Sequence, residues 1–272
     1  MSERRDESAT LYHLSDGAGQ ALVLLNGIAM TAVSWEVVAR PLAKYYWVVR
    51  CDFRGQLMTP VSPPADVADH AEDVVALLDD LGIEKAHIVG TSFGGVVGTL
   101  VASRFPDRVR SLTTIASADG FDEVMADEVT DWRAACVASL ESSDRGHLSD
   151  ILEPVVYSRA WVEAHKAERA QRRAQISALP DQWFRGLIGL LDSAHSLRLR
   201  DELERIRCPT LVIAAELDGF VPLDRARGLA EAIDGASFVS IEGAGHAVVV
   251  EQPQRVADLC LEFLDTVGSL PY

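Results

Sequence analysis

At 272 residues the chain is long enough to bury a substantial core, and 48% hydrophobic with 24% charged residues is the composition of an ordinary globular protein. A net charge of −16, a pI near 4.8 and no cluster of Lys and Arg exclude nucleic acid and anionic membrane surfaces as partners. Met1–Glu7 lacks the apolar core of a signal peptide and no apolar run reaches membrane-span length, so the expectation is a cytoplasmic protein.

Residues 1–8 are charged and read as a loose end. Thr10–Leu14 alternates weakly and predicts an edge strand, closed by the turn Asp16-Gly17-Ala18-Gly19. Ala21-Leu22-Val23-Leu24-Leu25 is a continuous apolar run, the pattern of a strand covered on both faces. After Asn26-Gly27, the residues Val33, Val37, Val38 and Leu42 recur at helical spacing, and Tyr46-Trp47-Val48-Val49 predicts a second buried strand. Asp52-Phe53-Arg54-Gly55 is a polar turn, and Pro60–Pro64 is a proline-rich loop. Asp66 stands as N-cap of a helix through Leu81, with Gly82 as its stop.

A strand then ends at Gly90, a segment with helical spacing (Val96, Val97, Leu100, Val101) begins just after Ser92, and Pro106 closes that helix before a strand at Val109–Ile115. Strands alternating with helices imply parallel pairing through right-handed crossovers, hence a doubly wound, mostly parallel α/β sheet. From Asp119 to Ser196 no buried-strand run occurs. This stretch predicts a helical cap, residues 119–196, inserted over the carboxyl end of a core made from 9–118 and 197–268. Leu197–Arg207 reads as a short charged helix. Thr210–Ala215 and Ala236–Ile241 are the last strands, Pro222 opens a helix between them, and Pro253 starts the terminal helix to about Val267.

Gly90-Thr91-Ser92-Phe93-Gly94 is Gly-x-Ser-x-Gly, the pattern of a sharp strand-to-helix turn that exposes the serine. A serine hydroxyl needs a base to take its proton, and the base needs an anion to hold its tautomer. Asp218 follows one buried strand and His246, in Gly243-Ala244-Gly245-His246, follows the next. The order Ser92, Asp218, His246 is that of an elbow hydrolase. Taken alone, an Asp-Gly is usually a turn capping its own backbone, and a histidine among glycines is usually solvated. Asp119, after the strand ending at Ile115, is the alternative acid. The backbone N–H groups of Phe93 and Ile28 are the candidate oxyanion donors, although Asn26-Gly27 also reads as a plain turn.

Other chemistry is not indicated. No phosphate loop, dinucleotide fingerprint or paired metal-ligand motif occurs, so neither cofactor nor metal is expected. Cys51, Cys136, Cys208 and Cys260 are far apart and read as small buried hydrophobes, His87 reads as packed, and Arg169, Arg172 and Arg173 read as a solvated helix face rather than an anion site.

The elbow Gly90–Gly95, the loop Glu216-Leu217-Asp218 and the stretch Gly243–His246 with Glu251-Gln252-Pro253 resemble the α/β-hydrolase superfamily, in particular its bacterial capped esterases, perhydrolases and 3-oxoadipate enol-lactonases. The likeness spans 21–267 and is weakest across 119–196. It implies Ser92 as nucleophile, Asp218 as acid, His246 as base, and donors at Ile28 and Phe93. Two positions depart from the family pattern. Asn26-Gly27 replaces the usual His-Gly, and Gln56-Leu57 interrupts Asp-x-Arg-Gly-x-Gly, which reshapes a loop near the pocket. The short stretch before Ala21 implies that one of the usual first strands is missing.

The expectation is a serine hydrolase that cleaves a small-to-medium, largely apolar carboxylic ester or lactone through an acyl-enzyme on Ser92, as a monomer or homodimer. Its substrate pocket is expected to include Asn26, Phe220 and Val221 with the cap aromatics Trp132, Tyr157, Trp161, Trp183 and Phe184. The competing readings are a cofactor-free lyase, dioxygenase or perhydrolase on the same three residues, and a non-catalytic ligand receptor.

Overall fold

A run such as Ala21–Leu25 has no polar face to show water, so it must lie inside a sheet covered on both sides. The computed structural model describes residues 11–59, 62–63, 66–142, 144–194 and 199–268. The readings of residues 1–8, of Thr10, of most of the 60–64 loop and of the start of the 197–207 helix lie outside them.

The chain runs through β1 (His13–Asp16) and β2 (Ala21–Leu25), a 3-10 turn at Ala32–Trp35, α1 (Glu36–Leu42) and β3 (Trp47–Cys51). It continues through α2 (Val67–Asp80), β4 (Ala86–Thr91), α3 (Phe93–Arg104) and β5 (Val109–Ile115). Five helices follow with no strand among the described residues: α4 (Glu123–Glu141), α5 (His147–Val156), α6 (Arg159–Ala164), α7 (Arg169–Ser177) and α8 (Asp181–Ala194). The chain then forms α9 (Arg200–Leu203), β6 (Thr210–Ala215), α10 (Leu223–Glu231), β7 (Ser237–Ile241), α11 (Val248–Glu251) and α12 (Pro253–Thr266).

The strands form one sheet in the order β1-β3-β2-β4-β5-β6-β7, parallel except for β1 at the edge. Alternate β2 residues serve opposite faces, as the two-residue period of a strand requires. Val23 and Leu25 pack with α2 and α3, whereas Leu22 and Leu24 pack with α1 and α12. A third apolar cluster joins α4 and α8, through Met125, Val129, Trp132, Phe184 and Leu187, to Phe220 and Val221 of the loop after β6.

Helix α2 begins where the sequence places it, with the Asp66 carboxylate accepting the Ala68 N–H at 2.9 Å. Three expectations need correction. The first strand lies at His13–Asp16, pulled along by antiparallel pairing with β3. The described helix in 197–207 is only Arg200–Leu203. Val33 and Val37 do not face the core; they are 60% and 56% exposed, while Trp35, Val38, Ala39 and Leu42 are buried. The 3-10 first turn, with three residues per turn, shifts the phase of the apolar face away from the α-helical template.

Candidate active site

The loops after Leu25, Thr91, Ile115, Ala215 and Ile241 leave the carboxyl ends of neighbouring parallel strands, where open α/β sheets gather their binding groups. Ser92 sits at the sharpest of these turns, with φ 52° and ψ −118°, a backbone state that costs a non-glycine residue about 1–3 kcal/mol. Neighbours hold it there. Its N–H donates to Ile115 O at 2.8 Å, and Ser117 Oγ donates to its carbonyl at 2.9 Å. The flanking glycines are sterically required, because a Cβ on Gly90 would stand 2.1 Å from Gly94 O and one on Gly94 would stand 2.2 Å from Leu25 O.

His246 Nε2 lies 2.9 Å from Ser92 Oγ, and its Nδ1 lies 2.9 and 3.0 Å from the two Asp218 oxygens. A carboxylate only accepts, so Nδ1 carries the proton and Nε2 presents its lone pair to the serine hydroxyl. The Asp218 side chain is 1% exposed, and its Oδ1 also accepts the N–H groups of Phe220 and Val221 at 2.8 and 2.7 Å. Asp218 thus caps its own turn and faces the imidazole at once. Asp119 is engaged elsewhere, 3.1 Å from Arg225 and 3.7 Å from Arg200. The acid and histidine loops are laced together by Leu217 N–H to Ala244 O and by Gly243 N–H to Glu216 Oε2.

The Ile28 and Phe93 amides, beside Ser92, have no hydrogen-bond acceptor among the described residues. Two cavities meet at the serine. One, of about 40 Å³, is walled by apolar side chains that include Val96, Met125, Trp132, Leu191 and Phe220. The other, of about 320 Å³, runs past His246 between Met30, Val249 and the inserted helices, and carries the polar groups of Glu153, Tyr157, Arg172 and Gln175.

Of the pocket residues expected from sequence, Trp132, Tyr157, Phe220 and Val221 line these cavities. Asn26, Trp161, Trp183 and Phe184 do not. Asn26 is fully buried, its amide bound to Asp52, Gln56 and Trp35. Trp161 stacks between Tyr157 and His165, each ring centre 4.1 Å away, and Trp183 and Phe184 fill the core of the insertion. Their size and apolarity marked them for burial, but which cavity an aromatic fills depends on helix packing.

Several other residues around the site have contacts that the sequence did not assign to them. Ser117 steadies the elbow, and Gln56 bonds the loop after β2. Glu251 accepts from Ser158 N–H at 2.8 Å, Ser158 Oγ at 2.6 Å and Gly245 N–H at 3.2 Å, which ties the histidine loop to the insertion. Arg172 is paired with Glu153 at 2.8 Å and lines the larger cavity, so it is not the solvated residue the charge run suggests. Arg169 and Arg173 pair with Asp150 on the surface of α5. Burial pushes the thiols of Cys51, Cys136 and Cys260 up to about 12, which removes them as nucleophiles at neutral pH. His87 is buried against Ser111 and Gln20. Among the described residues no group of three His, Cys, Asp or Glu side chains is arranged to hold a metal ion, and no helix is long and apolar enough to cross a membrane.

Residues 20–253 match the alpha/beta hydrolase fold family, and the chain belongs to it. It is an enzyme of that fold. The provisionally named carbamate hydrolase RutD of Azorhizobium caulinodans is 30% identical over 269 residues, covering 96% of this chain and 97% of its own. The pimeloyl-(acyl-carrier protein) methyl ester esterase of Aeromonas salmonicida is 28% identical, covering 91% and 96%. Among solved structures, the enol-lactonase of Burkholderia xenovorans superposes with a TM-score of 0.81 at 25% identity, covering 94% and 96%.

Proposed function

We propose that this chain is a serine hydrolase that cleaves a small carboxylic ester or lactone through an acyl-enzyme on Ser92. The observation that carries the reading is the single imidazole of His246 held 2.9 Å from both the Ser92 hydroxyl and the Asp218 carboxylate. Ser92 Oγ attacks the carbonyl carbon as its proton passes to His246 Nε2, and Asp218 stabilises the imidazolium so formed. Negative charge collects on the carbonyl oxygen, where the N–H groups of Ile28 and Phe93 receive it; such donors each contribute about 10²–10³-fold to turnover. Collapse expels the alkoxide, which leaves as an alcohol with the proton from His246. Water then repeats the sequence on the acyl-serine and releases the acid.

The leaving group departs on the side of the base, so the larger cavity beside His246 takes the alcohol portion and the small apolar cavity takes the acyl portion. An apolar cavity of about 150 Å³ holds benzene, so about 40 Å³ accommodates roughly one or two carbon atoms. The helices inserted between β5 and β6 serve as the lid of both cavities, which α4, α5, α7 and α8 help to line. The narrow acyl side, with the likeness to a provisionally named carbamate hydrolase, favours a second reading in which the acyl group is a small carbamoyl.

The test is a panel of p-nitrophenyl esters of rising acyl length, a set of lactones and phenyl carbamate. Acetate and propionate should turn over faster than octanoate, and Ser92→Ala should lose about 10⁶-fold in kcat, the scale of a nucleophile deletion. Ester turnover retained by the Ser92→Ala protein overturns the reading. Carbamate turnover exceeding that of every ester selects the second reading.

A further inference from the structure

Gln56 directly precedes Leu57, where the chain departs from its family's sequence pattern, and it is 2% exposed. Its Oε1 accepts from Phe53 N–H at 2.8 Å and from Asn26 Nδ2 at 2.9 Å. Its Nε2 donates to Gly27 O at 2.9 Å and to Ile28 O at 3.3 Å. A backbone N–H only donates and a carbonyl only accepts, so these partners fix which end of the amide is which. The next amide inward is oriented by the same logic. Trp35 Nε1 donates to Asn26 Oδ1 at 2.9 Å, while Asn26 Nδ2 donates to Asp52 at 3.1 Å as well as to Gln56.

The carbonyl of Gly27 and the N–H of Ile28 belong to one planar trans peptide and point in opposite directions. A donor seated on that carbonyl therefore sets the plane that aims the N–H. It also withdraws electrons from the peptide, which makes the N–H a stronger donor, since hydrogen bonds in a chain polarise one another. The Gly27 oxygen also accepts from Met30 N–H at 3.1 Å, which closes the loop from its other side. Every polar atom of the Asn26 and Gln56 side chains has a partner, the condition under which a buried network holds a single arrangement.

We propose that Trp35, Asn26 and Gln56 form a buried hydrogen-bond relay that aims and polarises the Gly27–Ile28 peptide as an oxyanion donor, with Gln56 as its positioning residue. This rests on the assignment of Ile28 N–H to the oxyanion under the proposed function. In the transition state the growing negative charge draws on the Ile28 N–H, and the Gly27 carbonyl leans correspondingly harder on Gln56. No atom of the relay touches substrate. Its effect therefore belongs in kcat and in the affinity for tetrahedral adducts, not in ground-state binding.

The test compares wild type with Gln56→Leu, Gln56→Glu and Trp35→Phe. The readouts are kcat and KM for p-nitrophenyl acetate, inhibition by 1-butaneboronic acid, which adds to the serine as a tetrahedral anion, and thermal unfolding to fix a temperature at which each variant is folded. Gln56→Leu should lower kcat about 10- to 100-fold with KM within about three-fold of wild type, and weaken the boronate by a similar factor, a partial loss of one donor. Trp35→Phe, which removes the first N–H and leaves a smaller aromatic ring in its place, should cost a few-fold. In Gln56→Glu the introduced carboxyl lies buried near the Asp52 carboxylate, so its pKa is raised. Protonated, it still donates to Gly27 O; ionised, it cannot. Its kcat should therefore fall as pH rises through that pKa, a fall absent from the wild type.

A merely structural Gln56 would lower the unfolding temperature without the parallel loss in kcat and boronate affinity and without the alkaline fall. A folded Gln56→Leu protein with wild-type kcat and boronate affinity overturns the relay and leaves the hydrolase reading intact. Wild-type protein that neither turns over the ester nor binds the boronate better than Ser92→Ala overturns both.

Discussion

Asp218 shows how one side chain can satisfy two readings that compete on paper. An Asp-Gly pair caps its own turn, and Asp218 does so through the N–H groups of Phe220 and Val221. Those same bonds hold the carboxylate where His246 Nδ1 meets both of its oxygens. Asp119 lies at the same edge of the sheet but is committed to Arg225 and Arg200. Asp218→Asn should therefore lower kcat by about 10³–10⁴-fold, since an amide favours the wrong tautomer of the imidazole, while Asp119→Asn should stay within about ten-fold of wild type. Steady-state kinetics on one ester decides it, and a larger loss in Asp119→Asn would reverse the assignment.

At the scale of the element, burial and capping set the energies. Helix α2 depends on Asp66 for one of its free N–H groups, and Asp66→Ala should cost about 0.5–2 kcal/mol of unfolding free energy. Helix α1 separates its residues sharply. Leu42 is fully buried and Val37 is 56% exposed, so Leu42→Ala should cost about 2–5 kcal/mol and Val37→Ala no more than about 0.5 kcal/mol. Urea titrations with unchanged m-values check both, and equal costs would contradict the placement of the 3-10 turn. Periodicity located this helix correctly and misassigned half of its face, because a 3-10 turn and an α-turn differ by more than half a residue and the sequence carries no mark of which is used.

For the molecule as a whole, the insertion between β5 and β6 is fastened to the histidine loop through Glu251, Ser158 and the Ala247 N–H to Val156 O bond. The inserted helices and the loop that carries His246 are thus joined directly by hydrogen bonds. Two other histidines govern stability toward acid. Burial pushes His70 down to about 3, between the rings of Phe53 and Phe93, and His87 down to about 4. Both are neutral in the folded protein, whereas the unfolded chain takes up protons near pH 6.5. The unfolded state then binds more protons between pH 6.5 and 4, so stability is complete above 6.5 and declines as pH falls, by up to about 1.4 kcal/mol per pH unit for each histidine. His70→Phe should flatten that decline when unfolding free energy is followed from pH 7 to 4.5, and an unchanged slope would remove His70 from the account.

The order of apolar runs, the glycines of the elbow and the punctuation by Pro and Asp are local properties, and they were enough for the sheet and for expecting a helical insertion and a candidate triad. They suffice because steric and hydrophobic constraints of that kind act within a few residues of their source. The tertiary structure alone decided that Asn26 is a buried strut rather than a pocket wall, that Trp161, Trp183 and Phe184 do not line the two cavities, and that Gln56 and Glu251 serve loops distant in sequence. Each of those outcomes depends on which side chain is opposite when separate elements pack. A buried amide and an exposed one look alike in sequence until the partner that satisfies its hydrogen bonds is in place.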